Sequence, residues 1–440
     1  MKFMHLARHF CELDRTLFIL IVVCYCFTDS NAQSVEKNQE TQTLWVDTNF
    51  IGGNAELIRV DHEKNEISFT SESDPNFGWK AWWYFKVDRA CPGDTLTLRV
   101  HGGTYRSGGS WTWMKRAVYS YDEENWFHTS PGKKEIDNGI YHTVYRQKID
   151  HSTVWFAFAL PYTPPNVRQL TRVISEKTDY LEPFILAWSR EDRPVYGMRI
   201  TGPDSKNKKN RKSGIWIQAR QHAFESGSSW VADGFVRWLC SDDPNAAFIR
   251  QHAVVTVIPI MDVDSTVKGL SGKMQQPQDH NRDWTDEPYW PVVSAAQNKI
   301  KELIKEDQLD VFVDIHGPGR PVPYFFLRPD FESYEGVRAK TFDDFLRAFN
   351  AEKWNSENPL CRQPSSDLMF YDLARPQWGD DYSMAWVLKN SSEEVVAATL
   401  EVSMDTELSH REGYYSQGKN IGKGIANYLR IRLAGKTSQK

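Results

Sequence analysis

The segment PYTPPN, residues 161–166, divides the chain into two parts with different residue patterns. Before it, short runs of aromatic and β-branched residues are separated by Gly, Pro, Asn and Asp, which predicts an antiparallel β-sandwich. After it, helical stretches alternate with apolar strands, which is typical of an α/β fold with a mixed, mostly parallel sheet flanked by helices. The chain is therefore expected to fold as two domains of different class.

This division sets the domain boundaries. We predict a β-sandwich accessory domain over residues 45–162, an α/β domain over 163–433 and a short tail over 434–440. The polar stretch 33–44 is predicted to be a disordered linker. Two domains are also expected because 440 residues are too many for one ordinary hydrophobic core.

Residues 1–32 have the order of features found in a signal peptide. Basic residues precede the apolar run LFILIVVCYCF, 17–27, which is too short to span a bilayer but suits a signal-peptide core. Small residues then lead to Ala32, where we place the cleavage site. An uncleaved anchor is the alternative. Cleavage predicts a secreted or periplasmic protein with no stable membrane insertion after leader removal.

Composition and cysteine content exclude several functional classes. The formal net charge of -5 favours neither nucleic acid nor an anionic membrane, so no nucleic-acid partner is expected. Outside the leader the cysteines are Cys91, Cys240 and Cys361. This odd, widely spaced set is neither a disulfide framework nor a zinc finger. One bridge and no bridge both stay open.

Three apolar strands of the second part each end at an ionisable residue. IWIQARQ precedes His222, DVFVDI precedes His316, and VVAATL precedes Glu401. Burying such groups without partners is costly, and ligands in α/β folds bind at the carboxyl ends of strands. We therefore expect the three residues to meet at one edge of the sheet.

His222, Glu225 and His316 together are a donor set suited to catalytic zinc, which takes three protein ligands and keeps one position open. The H-x-x-E spacing alone is weak evidence. His222 would also fit a core histidine, and Glu225 would also fit the first turn of a helix. The segment DHNRDW, 279–284, adds an Asn-Arg pair suited to binding a carboxylate, although a structural salt bridge would explain it too.

Four motifs in this order resemble those of the zinc metallocarboxypeptidases, within the branch of the cytosolic carboxypeptidases and their bacterial relatives. They are HAFE at 222–225, DHNRDW at 279–284, DIHGPGR at 314–320 and TLE at 399–401. WFAFALPYTP, 155–164, is similar to the end of the accessory sandwich in that branch. The resemblance implies a carboxypeptidase-like fold and covers roughly residues 45–430.

The resemblance also implies roles for the matching residues. One zinc ion would be bound by His222, Glu225 and His316. Glu401 would be the general base for the water that the metal activates, and would then protonate the leaving amine.

On the substrate side, the resemblance implies that Asn281 and Arg282 hold the terminal carboxylate, while Asp279 orients His222. Two positions depart from the family pattern. The family arginine that polarises the scissile carbonyl falls at Gly272 or Lys273, so Lys273 is the candidate for this charge. Tyr382 is the candidate for the tyrosine that clamps the substrate.

The sequence thus predicts an exported zinc carboxypeptidase that acts on a peptide or protein C-terminus. A zinc amidase or peptidase acting on peptidoglycan stem peptides is one alternative. A non-catalytic protein that binds peptides or glycans through the sandwich is another. Its candidate tryptophans are Trp79, Trp82, Trp83, Trp111, Trp113, Trp126 and Trp155. Core packing is the competing explanation for each of them.

Overall fold

The order of secondary structure follows the predicted change at residues 161–166. The computed structural model describes residues 43–73, 79–103, 114–137, 139–203, 212–317, 324–327, 336–351 and 381–438. The predicted leader and most of the predicted linker lie outside these residues, as do Cys361, Trp111 and Trp113. Residues from Thr41 onwards form a single compact unit, so the two predicted domains can be described together.

The N-terminal part contains two five-stranded sheets. Their strands are β1 (Trp45–Asp47), β2 (Glu56–Asp61), β3 (Glu66–Thr70), β4 (Tyr84–Asp88), β5 (Thr95–Gly103), β6 (Val118–Ser120), β7 (Trp126–His128), β8 (Lys133–Asp137), β9 (Ile140–Lys148) and β10 (Val154–Ala157). The sheet orders are β1-β4-β10-β6-β7 and β2-β3-β5-β9-β8. Aromatic side chains fill the space between the sheets, and the rings of Phe69 and Phe85 lie 4.9 Å apart.

The sandwich prediction is confirmed, with one difference in strand direction. β3 and β5 run parallel, whereas the other described pairs in both sheets are antiparallel. A parallel pair needs a long connection, and here the connection carries β4 into the other sheet.

The second part is built on a seven-stranded sheet. Its strands are β11 (Leu181–Trp188), β12 (Pro194–Ile200), β13 (Ser213–Ala219), β14 (Ala253–Ile258), β15 (Leu309–His316), β16 (Tyr324–Leu327) and β17 (Val396–Val402). The sheet order is β11-β12-β14-β13-β15-β17-β16. The central strands β14, β13, β15 and β17 are parallel, and the outer strands are antiparallel, which confirms the mixed sheet.

The segments VYGMRITG and SGIWIQAR follow one another in sequence, which would suit a hairpin, but their strands are not paired with each other. β12 and β13 correspond to these segments, but β14 lies between them in the sheet. All three strands are apolar, and AVVTVI of β14 takes a central position beside both. The apolar pattern identifies buried strands without identifying their neighbours.

Eight α-helices are described in this part. They are α1 (Pro164–Ser175), α2 (Ser226–Leu239), α3 (Pro244–His252), α4 (Val263–Lys268), α5 (Pro291–Lys305), α6 (Gly336–Ala351), α7 (Ser383–Asn390) and α8 (Arg411–Ser438). α8 packs against α2, α3 and α6, and it continues into the segment 434–440 that was predicted as a tail. Within the described ranges, no helix combines the length and the apolar character that crossing a bilayer requires.

The two parts share a hydrophobic contact next to the predicted metal ligands. Phe224 lies between His222 and Glu225 in sequence, yet it packs in the core of the sandwich. Its ring centroid is 6.4 Å from that of Phe158 and 6.3 Å from that of Trp79. The sandwich therefore supports the loop that carries two predicted ligands.

Candidate metal centre

The site lies at the carboxyl ends of the parallel strands β13, β15 and β17. β13 ends at Ala219, and Arg220 then takes a left-handed conformation with φ of 66°, which turns the chain into the loop with His222. His316 is the last residue of β15 and is paired in register with Glu401 of β17. The strand topology thus brings His222, His316 and Glu401 to one edge, as the sequence predicted.

Two imidazoles approach a single carboxylate at this edge. His222 Nδ1 lies 3.0 Å from Glu225 Oε1, and His316 Nδ1 lies 2.9 Å from Glu225 Oε2. All three residues are buried, and one ligand atom from each lies within 4.8 Å of the others. Among the residues that the structure describes, this is the only His, Cys, Asp or Glu cluster with such geometry.

The opposite ring nitrogens contact two further carboxylates. His222 Nε2 is 3.3 Å from Asp279 Oδ1, and His316 Nε2 is 2.9 Å from Asp314 Oδ2. A proton on each Nε2 leaves the Nδ1 lone pair for a cation, which is the usual arrangement of metal-binding histidines. The donor set therefore fits zinc.

Asp314 was not identified from the sequence. It contacts Nε2 of His316 in the same way as Asp279 contacts Nε2 of His222. The signal was present in the letters DIH. Residues two apart on a strand point to the same face, so an aspartate two residues before a strand-end ligand lies beside it.

The charges around the ligands favour a bound cation. Burial alone would raise the pKa of Glu225, but His222 and His316 hold that pKa well below its usual value. Burial would lower the pKa of His316, whereas the carboxylates of Asp314 and Glu225 raise it far above the usual value. Three buried carboxylates thus surround two imidazoles.

Glu225 is both the residue that precedes a helix and a candidate ligand. α2 begins at Ser226 with Glu225 as its N-cap residue, but the Glu225 side chain makes no capping bond. It contacts the two imidazoles instead. Ser226, Gly227 and Ser228 lie inside the first turn of α2. The backbone of Glu225 therefore fits the interpretation as a helix start, and its side chain fits the interpretation as a metal ligand.

Glu401 is placed to exchange protons beside the ligands. It lies in β17 next to His316 and is partly exposed. Burial raises the pKa of Glu401 to about 7; His316 opposes this shift, and the charge of Glu225 adds to it. A carboxyl group with a pKa near neutrality can both accept and return a proton.

Lys273 is the cation nearest to these residues in the loop after α4. Its Nζ is 2.9 Å from His222 Nε2 and 4.0 Å from Asp279 Oδ2. Burial lowers the pKa of its amine, and Asp279 opposes that shift. The amine therefore meets the outer edge of His222, away from the Nδ1 atoms that face Glu225.

Gly272 cannot take the family arginine in this backbone. Its φ is +66°, and a Cβ atom there would lie 2.4 Å from Asp262 Oδ2 and 2.8 Å from Ala223 N. The loop closes against the ligand segment at this point. Lys273 is consequently the position at which this loop presents a positive charge.

The predicted substrate residues lie on the other side of the site. Asn281 and Arg282 belong to a short 3-10 helix, His280–Arg282. Asn281 Nδ2 is 3.2 Å from His316 Nε2, and Arg282 is partly exposed. Tyr382 packs against the α/β core immediately before Ser383, whose backbone N–H bonds to Asn281.

Comparisons with known proteins agree with this architecture. A protein-family model described as cytosolic carboxypeptidase N-terminal domain matches residues 46–159. A second family model, described as zinc carboxypeptidase, matches residues 167–308. Both matches end before His316 and Glu401, which the strand topology adds to the site. The fold and the His-Glu-His donor set define a metallopeptidase-type zinc site.

Curated relatives match this chain over part of their length. Cytosolic carboxypeptidase 2 of Danio rerio is 26% identical over 311 residues, which cover 66% of this chain and 43% of the relative. Cytosolic carboxypeptidase 6 of Mus musculus is 25% identical over 285 residues, which cover 63% of this chain and 52% of the relative. The matched region thus spans about half of each relative.

Solved structures show the same fold over nearly the whole chain. A putative carboxypeptidase from Burkholderia mallei has a TM-score of 0.72 at 20% identity and covers 90% of this chain and 100% of its own. A metallo-carboxypeptidase from Pseudomonas aeruginosa also has a TM-score of 0.72 at 20% identity, with coverage of 88% and 99%. Residues 46–159 thus match the N-terminal domain of the cytosolic carboxypeptidases, and residues 167–308 match the zinc carboxypeptidase family.

Proposed function

We propose that the chain is a zinc-dependent carboxypeptidase that hydrolyses C-terminal peptide bonds. The observation that carries this proposal is the site itself. His222, Glu225 and His316 bring their donor atoms together, and Glu401 lies on the neighbouring strand. When bound, zinc supplies Lewis-acid chemistry that acidifies water and polarises a carbonyl group.

The residues of the chain supply the remaining steps. Glu401 takes the proton of the attacking water and passes it to the leaving amine. Asn281 and Arg282 bind the terminal carboxylate of the substrate with amide and guanidinium donors. Lys273 contributes a positive charge, either by holding Asp279 behind His222 or, in another rotamer, at the scissile carbonyl.

The central test is Glu401→Gln in the zinc-loaded protein. Without a proton acceptor, we expect the rate of C-terminal trimming to fall about a thousandfold or more, which corresponds to about 4 kcal/mol of transition-state stabilisation. Zinc content should stay at one ion per chain. The assay uses a peptide with a free C-terminus, and its C-terminally amidated form should resist hydrolysis.

Glu393→Gln is the matched control because Glu393 is exposed and lies before β17, away from the site. It should trim the peptide at the wild-type rate. Full activity in Glu401→Gln would exclude the proposed base. Release of amino acids from peptidoglycan fragments but not from plain peptides would favour the stem-peptide alternative.

The binding alternative has less support from the sandwich. Trp82 and Trp83 are buried in its core, and Trp79, Trp126 and Trp155 are partly buried. Trp79 contacts the loop of the metal site, where its indole N–H lies 3.0 Å from Met274 Sδ. These five tryptophans therefore pack at least partly within the protein.

We propose export as a separate property, supported by the basic, apolar and small-residue order of residues 1–32. The matched curated relatives are named cytosolic, so the proposed activity does not depend on location. N-terminal sequencing of the purified mature protein decides the question. A start just after Ala32 supports export, and a retained leader in the cell contradicts it.

A further inference from the structure

A buried amide connects the two halves of the site. Gln221 directly precedes His222 and is fully buried. Its Oε1 accepts a hydrogen bond of 2.7 Å from Trp284 Nε1, and its Nε2 donates one of 3.0 Å to Asn281 Oδ1. The same Nε2 donates to Asp314 Oδ2. All hydrogen-bonding atoms of this side chain are therefore engaged.

The orientation of the Gln221 amide follows from the chemistry of Trp284. An indole N–H only donates, so the Gln221 oxygen must face Trp284. The amide NH2 group then faces Asn281 and Asp314. If the amide were flipped, its NH2 group would face the N–H donor of Trp284, and its oxygen would face the acceptor oxygen of Asp314. These buried groups would then be left without hydrogen bonds, which costs free energy.

The orientation of Asn281 follows in turn. Its Oδ1 accepts from Gln221 and also from the backbone N–H of Ser383, at 3.0 Å in both cases. A backbone N–H cannot accept, so these two donors fix the Asn281 oxygen on their side. The Asn281 NH2 group therefore lies on the opposite side of this amide, where its Nδ2 is 3.2 Å from His316 Nε2.

Asp314 takes the second proton of the Gln221 amide. Its Oδ2 also accepts from Ser383 Oγ at 2.5 Å and from His316 Nε2 at 2.9 Å. Gln221 and Ser383 thus both bond to Asn281, which is predicted to bind substrate, and to Asp314, which orients a metal ligand. Two residues thus make the same pair of connections, Gln221 through its side-chain amide and Ser383 through its backbone N–H and its hydroxyl group.

We propose that Gln221 is a positioning residue that orients the Asn281 amide toward the substrate carboxylate and fixes the Asp314 carboxylate behind His316. This inference rests on the proposed carboxypeptidase function and deepens it. Hydrogen bonds in such a buried network cost more to break than exposed ones because no water replaces the lost partner. The main consequence should appear in substrate binding, with a smaller one in zinc binding.

The test is Gln221→Met, which keeps the length of the side chain and removes its hydrogen bonds. For a peptide with a free C-terminus, we expect KM to rise about tenfold or more while kcat changes less. Zinc affinity, measured by competition with a chromophoric chelator, should fall by less than about tenfold. Trp284→Phe should raise KM by a smaller factor, because it only releases the Gln221 orientation.

A double-mutant cycle separates positioning from general damage to the fold. In an Asn281→Ala background, Gln221→Met should add little to KM because the residue through which it acts is gone. Trp386→Phe is the control for Trp284→Phe. The ring of Trp386 lies 5.6 Å from that of Trp284, so this substitution shortens a side chain of the same core. It should leave KM unchanged.

Additive effects of Gln221→Met and Asn281→Ala on KM would overturn the inference and leave Gln221 a core residue. Wild-type KM in Gln221→Met would overturn it as well, while the carboxypeptidase proposal would stand. A wild-type protein that neither binds zinc nor trims peptides would instead remove the proposed function, and the inference with it.

Discussion

Two pairs of neighbouring histidines, one in the metal centre and one in the sandwich, have opposite surroundings. In the metal centre, the rings of His222 and His316 lie 4.9 Å apart. In the sandwich, His101 of β5 and His142 of β9 are cross-strand partners with ring centroids 4.3 Å apart. The first pair contacts three carboxylates through four nitrogen atoms. Within the described ranges, the buried His101 Nε2 and His142 Nδ1 atoms lack hydrogen-bond partners.

The electrostatic consequences differ accordingly. Burial lowers the pKa of His101 and of His142, and each of them is further lowered by neighbouring positive charge. For His316, two carboxylates overcome the same effect of burial and raise the pKa. Proximity of two imidazoles therefore does not make a metal site. The carboxylates Glu225, Asp279 and Asp314 provide both the charge and the orientation that a cation requires.

The strongest test of this comparison replaces one histidine from each pair. His316→Ala should reduce zinc affinity by more than about a hundredfold, because it removes a direct ligand. His142→Phe should leave zinc affinity at the wild-type value. Both affinities are measured by chelator competition at pH 7.5, with circular dichroism as a check of folding. Equal losses in the two variants would mean that the sandwich pair also binds zinc.

The metal centre differs from the sandwich pair in a further way. The cation Lys273 lies beside His222, a histidine that also contacts the carboxylate of Asp279. If it stabilises charge on the scissile carbonyl, Lys273→Met should lower kcat about a hundredfold, in line with the loss of one such donor elsewhere. Zinc affinity should then change little. Lys273→Arg should recover part of the rate, because a guanidinium group restores the charge.

The contrary outcome has an equally clear signature. If Lys273 only holds Asp279, whose Oδ2 lies 4.0 Å from its Nζ and which orients His222, Lys273→Met should change zinc affinity and kcat together. Met274→Leu is a suitable control in the same loop because its side chain is exposed and carries no charge. Wild-type kinetics in Lys273→Met would remove this lysine from the mechanism.

The sequence predicted the fold class and the convergence of the ligands for one physical reason. Apolar strands that end in His316 and Glu401 must deliver those groups to the carboxyl edge of a parallel sheet. This reasoning could not predict the order of β12, β14 and β13 in the sheet, because buried strands of similar composition have the same apolar pattern. Pairing partners depend on packing between distant segments.

Within the site, side chains close to a ligand in sequence were easier to identify than those brought in by folding. Asp279 was identified through its motif, and Asp314 could have been found from its spacing to His316. The link between Gln221, Trp284 and Ser383 could not, because it depends on the direction in which each amide faces. Hydrogen-bond direction is a property of the assembled structure.

The smallest expected effect concerns acid stability and tests the sandwich side of the comparison. The pKa of both His101 and His142 is lowered on folding, so the folded protein holds fewer protons than the unfolded chain below the ordinary histidine pKa of 6.5. Their contribution to stability is therefore complete above pH 6.5 and is lost as the pH falls through the lowered values. Arg99 strengthens this tendency for both rings, while Glu66, Glu135 and Asp137 oppose it.

His101→Gln combined with His142→Phe should make the free energy of unfolding less sensitive to pH between 7.5 and 5.5. Urea titrations of the wild type and the double variant, both with saturating zinc, give this difference directly. The metal centre titrates identically in the two proteins, so its contribution cancels. An unchanged pH slope would show that the two imidazoles have the same pKa in the folded and the unfolded chain. The contrast between the two histidine pairs would then lie in hydrogen bonding alone.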